Sequence, residues 1–514
     1  MEDDTPPIEL QYKDRDLDDV SDKSNFDDKK TKLTGWVVYV TAVITCTASL
    51  QFGWNTGVMT APSGYIQDFY NQTYDRYGEL SDDAMLWMWA WTISLYAVGG
   101  AFGALASPPF ADILGRKGGL LLMNVFSISA ALMFGSSVAS KNFEMIFMGR
   151  IVIGFYVGCV VCIVPLYLAE VAPKHLRGAV GVNHQLLITF GILLAEVLGI
   201  YVLNSEDNWH ILLSITGWLS VLQLFFLPFC PESPRWLLII DKDKEGATKA
   251  VQKYTGEEDV HAYMQEMYLE HLEESKEERV GVTALFTNKN YRDPLIISIF
   301  THMFQQFSGI NAVFFYATEI YYMIFPGNTE AVHAATVLTG TINFLTTIVA
   351  VFIVERVGRR SLLLYPYAGM VFFTFLVTLA LNLANPNVED AWDYVALCSV
   401  YGYIICFAIG PGPIPFVLVA ELWSQGPRPA AMSLSLQVNW WSNFIVNFFF
   451  PVFQEAMHAY VFSIFMVFLM IAVVFTYFWV PETKNKRFSE IVAEFKKGGS
   501  STQQGEDNAA FGDM

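Results

Sequence analysis

Charge is what this sequence has least of. Asp, Glu, Lys and Arg make up 16% of its 514 residues, while 53% are hydrophobic and 15% aromatic. That is too little charge to clothe a water-soluble surface, and it predicts a chain that crosses a membrane many times. Basic residues are in the minority, 31 Lys and Arg against 50 Asp and Glu, so nucleic acid is not an expected partner. Cysteine is scarce as well. Cys46, Cys159, Cys162, Cys230, Cys398 and Cys406 fall in or beside apolar runs, with neither the spacing of a disulfide framework nor the His/Cys clustering of a zinc site. No phosphate loop with its lysine, His-Glu zinc motif or Ser/His/Asp order is present, and the eight histidines are scattered, which argues against an enzyme and leaves no cofactor or metal to expect. Nor is a cleavable leader expected, because the first apolar run begins near Trp36 after a stretch too long and too acidic for one, and that run is read as an uncleaved first span.

What is there is a series of apolar runs of roughly 20 residues, the length that a hydrocarbon core of about 30 Å demands. Twelve are counted, at about 36–60, 87–110, 118–139, 145–168, 180–203, 209–229, 294–325, 332–354, 361–384, 394–420, 429–452 and 459–480. The expected fold is an all-α membrane protein of twelve spans in two six-helix halves, residues 35–229 and 294–482. Residues 1–34 carry eleven acids and six bases and are expected to be a disordered tail; residues 483–514 form a second polar tail. The insert at 230–293 is rich in Glu and Lys. Its apolar residues, Ala250 with Tyr254 and Met264 with Met267 and Tyr268, recur at helical spacing and predict short amphipathic helices on the membrane surface.

Sidedness follows from the loops. Arg116, Lys117, Lys174, Arg177, Arg356, Arg359, Arg360 and Arg428 lie in one set and only Arg76 and Lys141 in the other. The first set, both tails and the insert are therefore expected in the cytoplasm. The sequon Asn71-Gln72-Thr73 falls in the loop after the first span, on the opposite side, and makes Asn71 a candidate glycosylation site.

The halves repeat. Asp112-Ile-Leu-Gly115-Arg116-Lys117 returns as Glu355-Arg356-Val-Gly358-Arg359-Arg360. Glu170, seven before Arg177, returns as Glu421, seven before Arg428. Pro231-Glu232-Ser-Pro-Arg235 returns as Pro481-Glu482-Thr-Lys484. This is a parallel duplication, the arrangement by which many transporters build a site at the repeat interface near the midplane. The repeated charges Asp112, Arg116, Glu170, Arg177, Glu232, Arg235, Glu355, Arg359, Glu421, Arg428 and Glu482 sit at the predicted cytoplasmic ends of spans. There they could pair when that side closes and separate when it opens, a bistable latch, or serve only as positive-inside anchors.

Polar residues inside spans are rare and by default functional. Here they are neutral amides: Gln51, Asn55, Gln185, Gln305, Gln306, Asn311, Asn343, Asn439 and Asn443. Each amide offers donors and an acceptor, the mixed pattern that a hexose hydroxyl presents in return. Aromatics such as Phe52, Phe416 and Trp440 would cover the apolar faces of the ring. Helical spacing puts Asn439, Trp440 and Asn443 on one face and Gln185 and Ile188 on another. Breakers adjoin them, Ser308-Gly309 in the seventh run and Gly410-Pro-Gly-Pro-Ile-Pro415 in the tenth. Freed backbone groups are tolerated at membrane depth only where protein or a wet cavity satisfies them. Arg150, inside the fourth run, needs an acid or carbonyl partner that the sequence does not name.

Over about residues 33–490 the chain resembles the facilitative glucose transporters, the sugar-porter branch of the major facilitator superfamily. The resemblance rests on QFGWNTGV (51–58), PLYLAEVAPKHLRG (165–178), HQL (184–186), PESPR (231–235), QQFSGINAVFFY (305–316), GPGPIP (410–415), AELWSQGPRPAA (420–431), NWWSNF (439–444) and PETK (481–484). It implies sugar hydroxyls held by Gln185, Gln305, Gln306, Asn311, Asn343 and Asn439, an aromatic at Trp440, and a cytoplasmic latch using Glu170, Arg177, Glu421 and Arg428. Two departures bear on selectivity. Glucose-selective members commonly have a Glu and a Trp where this chain has Ala408 and Phe416, and often QLS where it has His302-Met303-Phe304, so galactose, mannose or fructose stand beside glucose as candidate substrates. Proton symporters of the branch have an aspartate at the place of Asn55, and an amide cannot titrate. The expectation is an uncoupled uniporter of the plasma membrane, with a proton-coupled symporter and a non-transporting sensor as alternatives.

Overall fold

The computed structural model describes residues 34–74, 80–173, 176–203, 205–275, 277, 280–385, 390–484 and 486. Lys174, Arg76 and nearly all of the two tails lie outside the described residues. Twelve helical rods are present among the described residues. They are α1 (Gly35–Gly57), α2 (Asp82–Ile113), α3 (Gly115–Ser140), α4 (Glu144–Val171), α5 (Arg177–Tyr201) and α6 (Trp209–Phe226). The second set is α7 (Arg292–Phe307, resuming as Ile310–Phe315 and Ala317–Ile324), α8 (Thr329–Val354), α9 (Arg359–Leu383), α10 (Ala391–Ile409, resuming as Ile414–Leu422), α11 (Arg428–Met457) and α12 (Val461–Trp479). By length and composition, ten helical stretches suffice to cross a membrane; one of these, Arg428–Trp479, contains both α11 and α12. The rod missing from that count is α7, whose continuity is lost at Gly309.

The ends of the rods follow from sequence chemistry. Three of the rods entering from the side that carries Asn71, here the sequon end, start on their own caps. Ser81 accepts from the Ala84 N–H for α2, Asn328 from that of Ala331 for α8, and Asp390 forms a capping box with Asp393 for α10. At the other, basic end, α3 and α9 start without a cap of their own and borrow one. Glu232 accepts the backbone N–H of Arg116 (3.1 Å) and Lys117 (3.0 Å), and Glu482 that of Arg359 (2.8 Å). A carboxylate at a helix N-terminus satisfies orphan donors and the dipole together. Room for it is made by glycine: a Cβ on Gly115 would sit 2.4 Å from a Glu232 oxygen and one on Gly358 2.1 Å from a Glu482 oxygen. The repeated Gly-Arg and Pro-Glu pairs are thus the two parts of one joint, built twice.

Packing repeats with the sequence. In the first half α2 packs on α4, α3 on α4 and α6, and α1 on α5; in the second α8 packs on α10, α9 on α10 and α12, and α7 on α11. The halves meet where α2 packs on α11 and α5 on α8, contacts that exchange under the same six-helix displacement. Between the halves, residues 230–291 carry the short helices Lys244–Thr255 and His261–Ser275, gathered on a small core of Leu238, Ala247, Val251, Val260, Met264 and Tyr268. A helix not anticipated from the sequence, Ser63–Tyr74, buries Ile66, Phe69 and Tyr70 and carries Asn71 on its exposed side.

Candidate functional site

The centre of the site is a pair of broken helices that face each other. Gly309 adopts φ +91°, and a Cβ there would meet the Phe465 ring at 2.6 Å, so only glycine serves at this corner. The break leaves Gln305 and Gln306 in the last turn of one helical segment and Asn311 in the first turn of the next. Opposite, the Gly410–Pro413 break in α10 packs so closely on α9 that a Cβ on Gly410 would fall 1.8 Å from the Leu362 carbonyl oxygen. Its freed carbonyls point at α7, and the Gln305 amide donates to Pro411 O (2.8 Å) and Gly412 O (2.7 Å). Tyr403 of α10 closes the reciprocal gap by donating to Ser308 O at 2.6 Å.

From Gln305 the amides run on in a chain. Asn439 Nδ2 donates to Gln305 Oε1 (2.6 Å), Gln306 Nε2 to Asn439 Oδ1 (3.0 Å), and the Gln306 carbonyl accepts from Asn311 and from Asn443 (3.3 Å). Asn447 Nδ2 then donates to Asn443 Oδ1 (2.7 Å), and the Tyr316 hydroxyl to the backbone carbonyl of Asn447 (2.8 Å). Asn447 and Tyr316 are members that sequence reasoning missed; Asn439, Asn443 and Asn447 recur every fourth residue, one helix face, and that spacing was the available signal. All these side chains belong to the second half.

The other candidates are not hydrogen-bonded into this chain. Trp440, next to Asn439, reaches across to α2, where its ring fills the space over Gly100 and meets Tyr96 edge-on at 6.1 Å; its indole N–H is buried and makes no hydrogen bond. Asn343 of α8 is buried, Gln185 of α5 is exposed and Ile188 is buried beneath it. Phe416, half-exposed at 37%, packs on the His302 ring at 5.0 Å, and Ala408 is buried.

Gln51 and Asn55 do not join the set. Gln51 Nε2 lies 2.5 Å from Ser127 Oγ, 2.7 Å from Thr216 Oγ1 and 3.0 Å from Ser220 Oγ, and Asn55 Nδ2 lies 2.8 Å from the Gln51 carbonyl and 3.0 Å from Thr216 Oγ1. They bind α1 to α3 and α6 inside the first half, an interhelical role. Arg150 finds carbonyls rather than an acid: Thr92 O at 3.1 Å, Asn55 O at 3.2 Å and Ile93 O at 3.3 Å, with its guanidinium 4.5 Å from the Tyr96 ring centre.

The halves touch from the middle of the molecule to the sequon end. Gln437 donates to Ala101 O (3.0 Å), Trp91 packs on Phe448 (4.7 Å), Thr60 donates to Phe314 O (2.8 Å) and Thr318 donates back to Thr60 O (3.0 Å). At the basic end the repeated charges pair within their own halves or within the insert. Arg116 meets Glu170 at 2.8 Å and Asp112 at 3.6 Å, Arg359 meets Glu421 at 2.9 Å, and Arg235 meets Glu274 at 2.5 Å and Glu270 at 3.8 Å. Arg428 donates to Trp423 O, and Arg177 is exposed. Glu355 approaches the other half at Gly178, 3.7 Å from where a Cβ would stand. Among the described residues no ion pair joins the two halves. Burial pushes the Glu232 carboxyl up from its ordinary range, and the N–H groups of Ser233, Lys117, Gly118 and Arg116 oppose that shift.

A twelve-rod duplicated bundle with a central amide chain finds clear likenesses. The family model described as Sugar (and other) transporter matches residues 41–495. Facilitated glucose transporter member 1 of solute carrier family 2 from Gallus gallus is 42% identical over 457 residues, 88% of this chain and 92% of that one. Member 3 from Ovis aries is 41% identical over 470 residues, 91% and 94% of the two chains. Among solved structures, the inward open conformation of the xylose transporter XylE from E. coli matches with a TM-score of 0.74 at 24% identity, covering 89% of this chain and 99% of that one, a likeness of fold. The chain is therefore a multi-pass membrane protein of the major facilitator fold, not an enzyme, and it belongs to the sugar transporter family, among the facilitated glucose transporters of solute carrier family 2.

Proposed function

We propose that the protein is a uniporter that carries hexoses, D-glucose foremost, across the plasma membrane by alternating access. The observation that carries this reading is the amide chain from Gln305 to Asn447 at two facing helix breaks, beside the unspent polar groups of Trp440, Asn343 and Gln185. A sugar arriving there meets donors and acceptors from α5, α7, α8 and α11, that is, from both halves. The hydroxyls are bound by Gln185, Gln305, Gln306, Asn311, Asn343 and Asn439, with Ile188, Phe416 and Trp440 against the ring. The curated relatives of high identity are named facilitated glucose transporters, which favours glucose; Ala408 and Phe416 leave room for other hexoses.

The basic end is taken as cytoplasmic, with both termini there, and Asn71 as extracellular and glycosylated. On that assignment the bundle is sealed outside and unlatched inside. In this conformation Arg116 pairs with Glu170 and Arg359 with Glu421 inside their own halves; Glu170, Arg177, Glu421, Arg428 and their repeated neighbours Asp112, Arg116, Glu232, Arg235, Glu355, Arg359 and Glu482 form a latch that joins across the gap when the inner side closes. Transport is uncoupled because Asn55, a neutral amide bonded within its own half, offers no carboxyl at the place a proton would use. The test is uptake of radiolabelled D-glucose into proteoliposomes, with competition by unlabelled galactose, mannose and fructose. Glucose should equilibrate and not accumulate under an inward proton gradient; accumulation would overturn uniport, and no uptake of any hexose would overturn transport.

A further inference from the structure

Glu196 is a carboxyl that this reading does not use. It stands in α5 on the face that packs against α8, where the two halves meet. The residue is fully buried, no side chain hydrogen-bonds to either carboxyl oxygen, and the backbone N–H of Gly340 in the other half faces it. One oxygen rests in a notch on the opposite half: a Cβ on Gly340 of α8 would fall 2.1 Å from it. Around the notch, α8 contributes Thr339, whose hydroxyl is shared with Tyr321 of α7, and α10 contributes Tyr401, which donates to Ala335 O at 3.2 Å. The titratable groups facing Glu196 are thus Tyr321 and Tyr401, and no charged side chain faces it among the described residues.

An ionised carboxylate shut away from water with no cationic partner costs several kcal/mol, so the neutral acid is the form that fits this conformation. Its setting changes as the carrier works, because a neighbour that belongs to the other half must move when the halves rock. Five residues from the sequon end of α5, the carboxyl meets water once α5 and α8 part on that side. It then ionises at neutral pH by releasing its proton to that water.

We propose that Glu196 is a proton-binding site between the halves, filled when the sequon end is closed and emptied when that end opens. The inference rests on alternating access as proposed above. The sign follows from the proton count. The closed conformation holds one proton more than the open one, so acid favours closure of the sequon end and alkali favours its opening. Below about pH 4, near the ordinary range of a glutamate, both conformations are protonated and the dependence vanishes; above it, one group moves the ratio by at most about tenfold per pH unit. Because the proton returns to the side from which it came, it tunes the rate of transport without driving accumulation.

The experiment is the maximal rate of D-glucose entry into proteoliposomes at equal internal and external pH, between about pH 5 and pH 8, for the unaltered protein and Glu196→Gln. The amide keeps the shape and cannot titrate. The expected result is a change of about threefold or more across this range in the unaltered protein and a flat profile in the variant. Identical profiles, or no pH dependence in the unaltered protein, overturn the proposal. If Glu196→Gln yields too little folded carrier, Glu196→Asp replaces it: a displaced midpoint supports the assignment and an unmoved one overturns it. The measurement is made without a pH gradient, so its failure is separate from that of uniport, which is judged by accumulation under a gradient.

Discussion

Gln305 gives the sharpest test of the amide chain, because the structure says what its removal exposes. Gln305→Ala deletes two donors and one acceptor and strands three groups: the carbonyls of Pro411 and Gly412 and the Asn439 amide. Each lost bond is worth about 0.5–1.5 kcal/mol net, and a stranded buried partner raises the loss, so the three together cost about 2–4 kcal/mol. Those carbonyls are at the α10 break, in the part of the bundle that must bend, and the loss falls on the geometry of the site before it falls on the bundle as a whole. At about 1.4 kcal/mol per decade, glucose uptake at low sugar concentration drops at least tenfold. The assay is the initial rate of D-glucose entry into proteoliposomes, divided by the amount of carrier incorporated. Gln51→Ala is the control: it removes as many contacts, but inside the first half, so it lowers thermal stability and leaves the affinity of the surviving carrier near normal. Near-normal uptake by Gln305→Ala, or equal affinity losses in both variants, would refute the reasoning and make the chain a packing device.

Gly115→Ala places a methyl at φ +79° against a Glu232 oxygen; strain of about 1–3 kcal/mol should lower the melting temperature of detergent-purified protein, and an unchanged value would contradict the joint. Burial raises the Glu232 carboxyl, so its neutral form stabilises the fold at low pH and that contribution is lost as pH rises through the raised value. The melting temperature of the unaltered protein relative to Glu232→Gln should therefore fall as pH increases from about 4; a constant difference would show that the hydrogen bonds cancel the effect of burial, and a rising one that they outweigh it. Gly100→Val thrusts side-chain carbon into the Trp440 ring; it should reduce uptake more than protein yield, measured by uptake per incorporated carrier. Digestion with an N-glycosidase should increase the mobility of protein from a eukaryotic host and leave Asn71→Gln unaffected; no shift would remove the support that Asn71 lends to the sidedness.

The rods were legible because apolar length alone demands them, and both helix breaks were announced by Ser308-Gly309 and by the Gly-Pro run at 410–415. The duplication was legible in its charges, but not its purpose: nothing in a linear chain says that Glu232 and Glu482 reach back more than a hundred residues to start α3 and α9. The helix Ser63–Tyr74 went unread although Ile66, Phe69 and Tyr70 stand at i, i+3 and i+4, because its polar residues made it look like loop. The amides are the instructive case. Gln51–Asn55 and Asn439–Asn443 have the same type and spacing, yet the first pair ties three helices of one half together and the second belongs to the central chain. What separates them is the company they keep. Gln51 and Asn55 face Ser127, Thr216 and Ser220, small hydroxyl side chains that consume their polarity locally. Gln305 and Gln306 sit one turn from a broken helix, and the carbonyls freed by a second break across the bundle take up Gln305. A buried amide next to an intact, hydroxyl-bearing helix is glue, whereas one between two breaks is held where backbone has been opened and must be met by something polar.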